Sequence, residues 1–225
     1  MMTITPEEIF SKARVNPSTC LFCHPNPGMQ MHETEHFRLL RVNFPAVSGH
    51  IMTSSKLHYG SLGELDPEMF SELEALKEEV AMWFREQCGA VLFYEHGRAG
   101  SCHSNDAHGT QCEHFHLNCI PSDICIHSKL KAHLEKHYPV ESLDRICPLF
   151  HKWGDYLYCE NNEKEAIYYP VQQTKIPPHF LRTLICEELL MPEKADWQAH
   201  QVYEDFLESY NFTMPFECHL QGALR

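Results

Sequence analysis

A chain of 225 residues with 43% hydrophobic content is sized for one large globular domain, or for a domain with an extension. No apolar run approaches the roughly 20 residues of a membrane span. The polar start MMTITPEEIFSKARV has no signal-peptide core, so a cytoplasmic protein is expected. The formal net charge of −13 argues against duplex nucleic acid as a partner, since that needs a basic surface, but leaves room for a small phosphate ligand in a local pocket.

In chain order, Thr5-Pro6-Glu7-Glu8 opens a short helix, with Thr5 as N-cap and Pro6 at the first helical position, and Asn16-Pro17 ends it. The turn-rich CLFCHPNPG follows. Residues 35–44 and the HIMTSS run from His50 read as strands. Residues 65–88 form the clearest helix. Asp66 caps it, Phe70, Leu73, Leu76, Val80 and Phe84 recur at helical spacing, and Gly89 stops it. AVLFYEHG is a buried strand. GRAGSCHSNDAHGTQ is a polar loop long enough to be functional, and it leads into the strand EHFHLNCI. Beyond Pro121 come a short helix at 129–137, a hairpin from GDYLYCENN and EAIYYPV, and helices at 178–190 and 197–210.

The chemistry concentrates in QCEHFHLNCIP. Period-two alternation puts His114, His116 and Asn118 on one strand face, where they can hold a metal, attack a substrate or fill a polar patch. The 11 cysteines are odd in number and too dispersed for a compact disulfide framework, so most read as buried thiols. Cys20 and Cys23 are the exception. Their CxxC spacing supplies half of a tetrahedral zinc site, with His58 and one histidine of the 114–116 pair as candidates for the rest; two merely buried thiols are the plain alternative. His96, His103 and His108 are candidate acids around the polar loop.

Four segments over about the first 125 residues resemble the histidine-triad (HIT) superfamily, in the family's order: CLFC, GHIMTSSKLH, FYEHG and HFHLNCIP. The resemblance implies an α+β fold, a HIT-like antiparallel sheet with a long helix. Residues 1–128 would be the catalytic domain, and 129–225 a mixed α/β extension packed on it. It implies structural zinc on Cys20, Cys23, His58 and His114, a closed Cys2His2 set. It makes His116 the nucleophile toward a nucleotide's α-phosphorus, with its other ring nitrogen held by a backbone carbonyl. Where hydrolytic members carry a third histidine this chain has Asn118, closer to the glutamine of the uridylyltransferase and dinucleotide-phosphorylase branches. An amide cannot act as an acid near neutral pH, so transfer to an acceptor is favoured slightly over hydrolysis. By the same resemblance Gly109, Thr110 and Gln111 face the phosphates, and Asn43 stands beside the ribose-binding position, which is Val42 here. In the extension, PPHFLRTLICEELLMPEKADWQ faintly resembles HIT-related splicing factors, and its His179 and Arg182 are placed at the site mouth. The expected activity is nucleotide processing through a nucleotidyl-His116. Non-catalytic nucleotide binding or assembly is the alternative. A homodimer is expected by analogy, unless the extension takes the partner's place.

Overall fold

The computed structural model describes residues 4–13, 20–26, 28–99, 113–171 and 174–222. Eight strands form one antiparallel sheet: β1 Gln30–Glu33, β2 Phe37–Arg41, β3 Ile51–Ser55, β4 Leu92–Gly97, β5 His116–Ile120, β6 Tyr138–Pro139, β7 Tyr156–Glu160 and β8 Ala166–Pro170. Their order is β1-β2-β3-β5-β4-β7-β8-β6. Six helices accompany them: α1 Pro6–Ala13, α2 Phe70–Cys88, α3 His127–His133, α4 Ile146–Trp153, α5 Phe180–Glu188 and α6 Tyr203–Gly222. The α+β class expected from the sequence is the one observed. Residues on both sides of position 128 build the same sheet, because β7 pairs with the edge of β4 that β5 leaves open.

Alternation along the strands makes both faces of this sheet buried. On one face Leu117, Cys119, Phe93 and Tyr158 meet Leu73, Leu76, Val80 and Phe84 of α2. Each such fully buried leucine or phenylalanine contributes roughly 1.5–3 kcal/mol. The expected start of α2 is refined: Pro67–Met69 is a turn of 3-10 helix, and Asp66 makes no side-chain cap bond but accepts from the Tyr59 hydroxyl at 2.5 Å. Gly89, at φ 78°, ends α2 in the left-handed conformation that glycine adopts without a Cβ penalty. On the other face Leu92, Tyr94, Ile120, Leu157 and Cys159 meet Leu181, Leu184 and Ile185 of α5 and Leu130 of α3. His116 and Asn118 lie on this second face, so the extension covers the chemistry.

Three expectations shift. The strand expected to include His114 begins at His116. The helix expected at 129–137 occupies His127–His133. The last helix starts at Tyr203 and continues through Pro215 to Gly222, although an internal proline removes a hydrogen bond and usually ends a helix. Packing sustains it: Phe216 stacks on Trp83 of α2 at 4.6 Å, and Phe212 stacks on Phe84 at 6.2 Å.

Glu95 makes the fold pH-sensitive. It is 1% exposed and accepts from the Leu62 N–H (2.8 Å) and the Tyr156 hydroxyl (2.7 Å). Burial outweighs these bonds and pushes its carboxyl up to about 7 from an ordinary 4.5. The folded state therefore prefers the protonated acid. That contribution is complete below about 4.5 and is lost as pH rises through about 7. Glu95→Gln is expected to gain on wild type by on the order of 2 kcal/mol between pH 5 and pH 8, read from urea melts; a difference independent of pH would refute the assignment.

Candidate active site and metal centre

Four side chains distant in sequence converge beside the start of β5. The ligand atoms of Cys20, Cys23, His58 and His114 all lie within 4.8 Å of one another. Cys20 Sγ is 3.4 Å and Cys23 Sγ 3.5 Å from His114 Nδ1, while His58 Nδ1 is 3.3 Å from Cys23 Sγ and 3.2 Å from His114 Nδ1. A tetrahedron with zinc-length bonds to nitrogen and sulfur has edges of about 3.3–3.8 Å. The donor set therefore fits a zinc-sized ion. The second shell is in place as well. His114 Nε2 donates to the Ser55 carbonyl at 2.9 Å, with the Ser55 hydroxyl at 3.1 Å, so the ring turns Nδ1 toward the cluster. Burial lowers His114 to about 4, which keeps its imidazole neutral as a ligand must be.

His116 follows two residues later and turns to the α5 side of the sheet. Its Nδ1 donates to the His114 carbonyl at 2.8 Å, which fixes the tautomer and puts the lone pair on Nε2, without a partner among the described residues. Burial lowers its pKa, and the carbonyl contact only partly opposes this. The ring of Phe22, inside the CLFC loop, stacks on His116 at 4.7 Å and 13°. The same loop that carries two of the four clustered ligands thus braces this histidine. Sequence reasoning passed over Phe22 because it treated the residues between the cysteines as spacers.

Asn118 sits opposite Met52 of β3, and His50 lies two residues before Met52. His50 Nε2 donates to Asn118 Oδ1 at 3.1 Å, and its Nδ1 accepts the Ala46 N–H at 3.2 Å. Burial lowers His50 to about 3, with smaller contributions from the charges of Arg182 and His116, so it stays neutral. The Asn118 NH2 points to the Tyr94 carbonyl at a loose 3.5 Å. His50 thus orients the Asn118 amide.

His96 and Arg182 complete this face. His96 Nε2 accepts the N–H of Leu181 at 3.1 Å, tying the start of α5 to β4. Burial, reinforced by His116 and His179, lowers His96 to about 3. It is therefore a neutral ring engaged through Nε2, a poor proton donor from that atom. Arg182, 6% exposed, donates from Nε to the Lys194 carbonyl (2.8 Å) and from Nη1 to the Phe44 carbonyl (2.9 Å). His179 adopts φ 58° just before α5, uncommon for a non-glycine residue, with its ring 6.0 Å from that of Trp197. The Asn43 Oδ1 is buried without a hydrogen-bond partner among the described residues. Gly109, Thr110 and Gln111, with His103 and His108, lie outside the described residues.

Comparison with known proteins follows this geometry. The chain is 22% identical over 205 residues to CWF19-like protein 1 of Mus musculus, covering 84% of this chain and 36% of the relative. It is 22% identical over 201 residues to the Drosophila melanogaster homolog, covering 82% and 34%. It spans about a third of the length of these curated relatives. Among solved structures, a yeast Ap4A phosphorylase in complex with Ap4A aligns with TM-score 0.45 and 12% identity over 83% of this chain and 80% of that one. A hypothetical histidine triad nucleotide-binding protein from Sulfolobus tokodaii aligns with TM-score 0.36 and 24% identity over 46% and 68%. No helix among the described residues is long and apolar enough to cross a membrane. The family described as "Protein similar to CwfJ C-terminal" matches residues 8–135, more than half of the chain and the stretch that holds the cysteine–histidine cluster, His116 and Asn118; the chain belongs to that family.

Proposed function

We propose that this chain is a nucleotidyl-transferring enzyme with a small-molecule nucleotide substrate. The observation that carries the reading is the His116 imidazole, which is neutral, gives its Nδ1–H to a backbone carbonyl and has no partner at Nε2 among the described residues. In the first step Nε2 attacks the α-phosphorus of a nucleoside phosphoanhydride, ester or phosphoramidate. A P–N bond forms, the bond to the leaving group breaks, and the leaving group takes the electron pair. In the second step an acceptor oxygen attacks phosphorus, the P–N bond breaks, and the neutral imidazole returns. The acceptor is water or another nucleophile, and the amide at Asn118 favours the latter.

Cys20, Cys23, His58 and His114 would hold zinc, which would supply structural cross-linking rather than an open catalytic position. Phe22 and the His114 carbonyl then keep the His116 ring in place. The functional division proposed is a catalytic unit at 1–128 and a covering extension at 129–225. With β7 beside β4, the sheet is extended from within the chain, so a homodimer would use another surface.

A second reading, nucleotide binding or assembly without turnover, draws on one observation: the Asn118 oxygen is already committed to His50. One experiment separates the two. The purified chain is incubated with the common nucleotides labelled at the α-phosphate and quenched in base, which preserves a P–N bond. Labelling of wild type and none of His116→Ala is expected. Nucleotide affinity with no labelling would favour the second reading, and equal labelling of both proteins would remove His116 from the mechanism.

A further inference from the structure

Arg182 is a buried cation with no salt-bridge partner among the described residues. It is 6% exposed, and its Nε and Nη1 are used by the Lys194 and Phe44 carbonyls. Among the described residues its Nη2 has no hydrogen-bond partner. A charged donor left this way costs free energy that a bound anion would offset. The Nε and Nη1 bonds tie α5 to the Lys194 and Phe44 carbonyls and leave Nη2 over, while the neighbours Leu181, Leu184 and Ile185 serve the apolar core.

The surroundings point the same way. The N–H of Leu181, the residue before Arg182, bonds His96 Nε2 at 3.1 Å on the sheet face that carries His116, and α5 docks on that face, so Arg182 enters the structure on the nucleophile's side of the sheet. A second orphan lies on that face. Ser54 of β3 is the cross-strand partner of His116, and its hydroxyl is buried without a partner among the described residues. Two unsatisfied polar groups therefore accompany the His116–Asn118–His50 row, one contributed by β3 and one by the extension. Arg182 also lies outside residues 8–135, so the extension, not the family-matched segment, contributes this cation.

We infer that Arg182 anchors a phosphate-type oxyanion distinct from the phosphoryl group that His116 attacks. The guanidinium fork suits such an anion, and charge-assisted bonds make it selective for one. This deepens the nucleotidyl-transfer reading and rests on it: the ligand either carries a second phosphoryl group or is joined by free phosphate as the acceptor.

The test uses the full chain with inorganic phosphate, pyrophosphate, and the four nucleoside mono- and diphosphates, followed by calorimetric titration. If the anchored group belongs to the nucleotide, diphosphates bind wild type better than monophosphates, and Arg182→Gln loses that gain by about tenfold or more. If it is free phosphate, inorganic phosphate itself binds wild type and loses affinity to the same extent. Arg182→Lys keeps the charge without the fork and should fall between. The guanidinium 15N resonances of Arg182 in wild type, which need no variant to fold, should shift on titration. His116→Ala should keep the Arg182-dependent difference between diphosphates and monophosphates, or the response to inorganic phosphate, whatever its overall nucleotide affinity, so failure of the covalent step is read separately from failure of the anchor. Affinities in Arg182→Gln equal to wild type, unmoved guanidinium resonances, or no anion binding to wild type would each overturn the assignment.

Discussion

Replacing Cys23 with serine is expected to lower the melting temperature by about 10 °C or more, and stripping the metal with a strong chelator should do the same. A closed zinc site is worth on the order of 10 kcal/mol of metal-linked folding energy, and 1 kcal/mol shifts a chain of this size by about 2–4 °C. The fall should be large because the four ligands join three separate parts of the chain: the CLFC loop, the turn after β3 and the start of β5. Without the ion, two thiols and two imidazoles would remain packed at 3.2–3.5 Å, and the loop would rest on the Phe22–His116 stack and the Arg38 bond to the Phe22 carbonyl. Cys218→Ser, at an exposed thiol outside the cluster, should leave the melt nearly unchanged. Differential scanning calorimetry with metal analysis checks both. Less than about half an equivalent of zinc per chain after careful purification would contradict the metal assignment.

The second large effect is chemical. His116→Ala is expected to reduce nucleotide turnover by about 10⁴-fold or more, since the covalent intermediate cannot form. The fold should tolerate the change. Among the described residues the one hydrogen bond of His116 goes to its own near neighbour, and the ring is only half-buried. Its melting temperature should stay within a few degrees of wild type, whereas His114→Ala should behave like Cys23→Ser. Steady-state kinetics and melts on the same preparations make the comparison. Residual turnover of His116→Ala above about one per cent of wild type would point to another nucleophile.

The contrast between adjacent histidines was legible because their partners are encoded as residue types. CxxC, a KxH and an HxH in order restrict what can meet, and the strand alternation turns His116 away from the sheet face that packs on α2. The role of His50 was not legible, because it depends on the β3–β5 register, which brings it beside Asn118 across two strands. Arg182 was flagged as a possible contact, but its burial follows from α5 docking on the second face, a packing outcome with no local signature. The helix expected over 197–210 runs instead from Tyr203 to Gly222, and its passage through Pro215 follows from stacking on Trp83 and Phe84, a tertiary contact that periodicity does not show. The four-residue β1, the two-residue β6 and the proline-bearing α4 are too short or too irregular for periodicity to show.

The account turns on a bond between His116 and phosphorus. The direct measurement is intact-mass and peptide mapping of the chain after a base quench with the nucleotide that labels it best. The expected result is a mass increase of one nucleotidyl group, mapped to the peptide containing His116 and discharged on adding acceptor. A nucleotidyl group mapped to another residue, or a chain that turns nucleotides over with no adduct under single-turnover conditions, would contradict it.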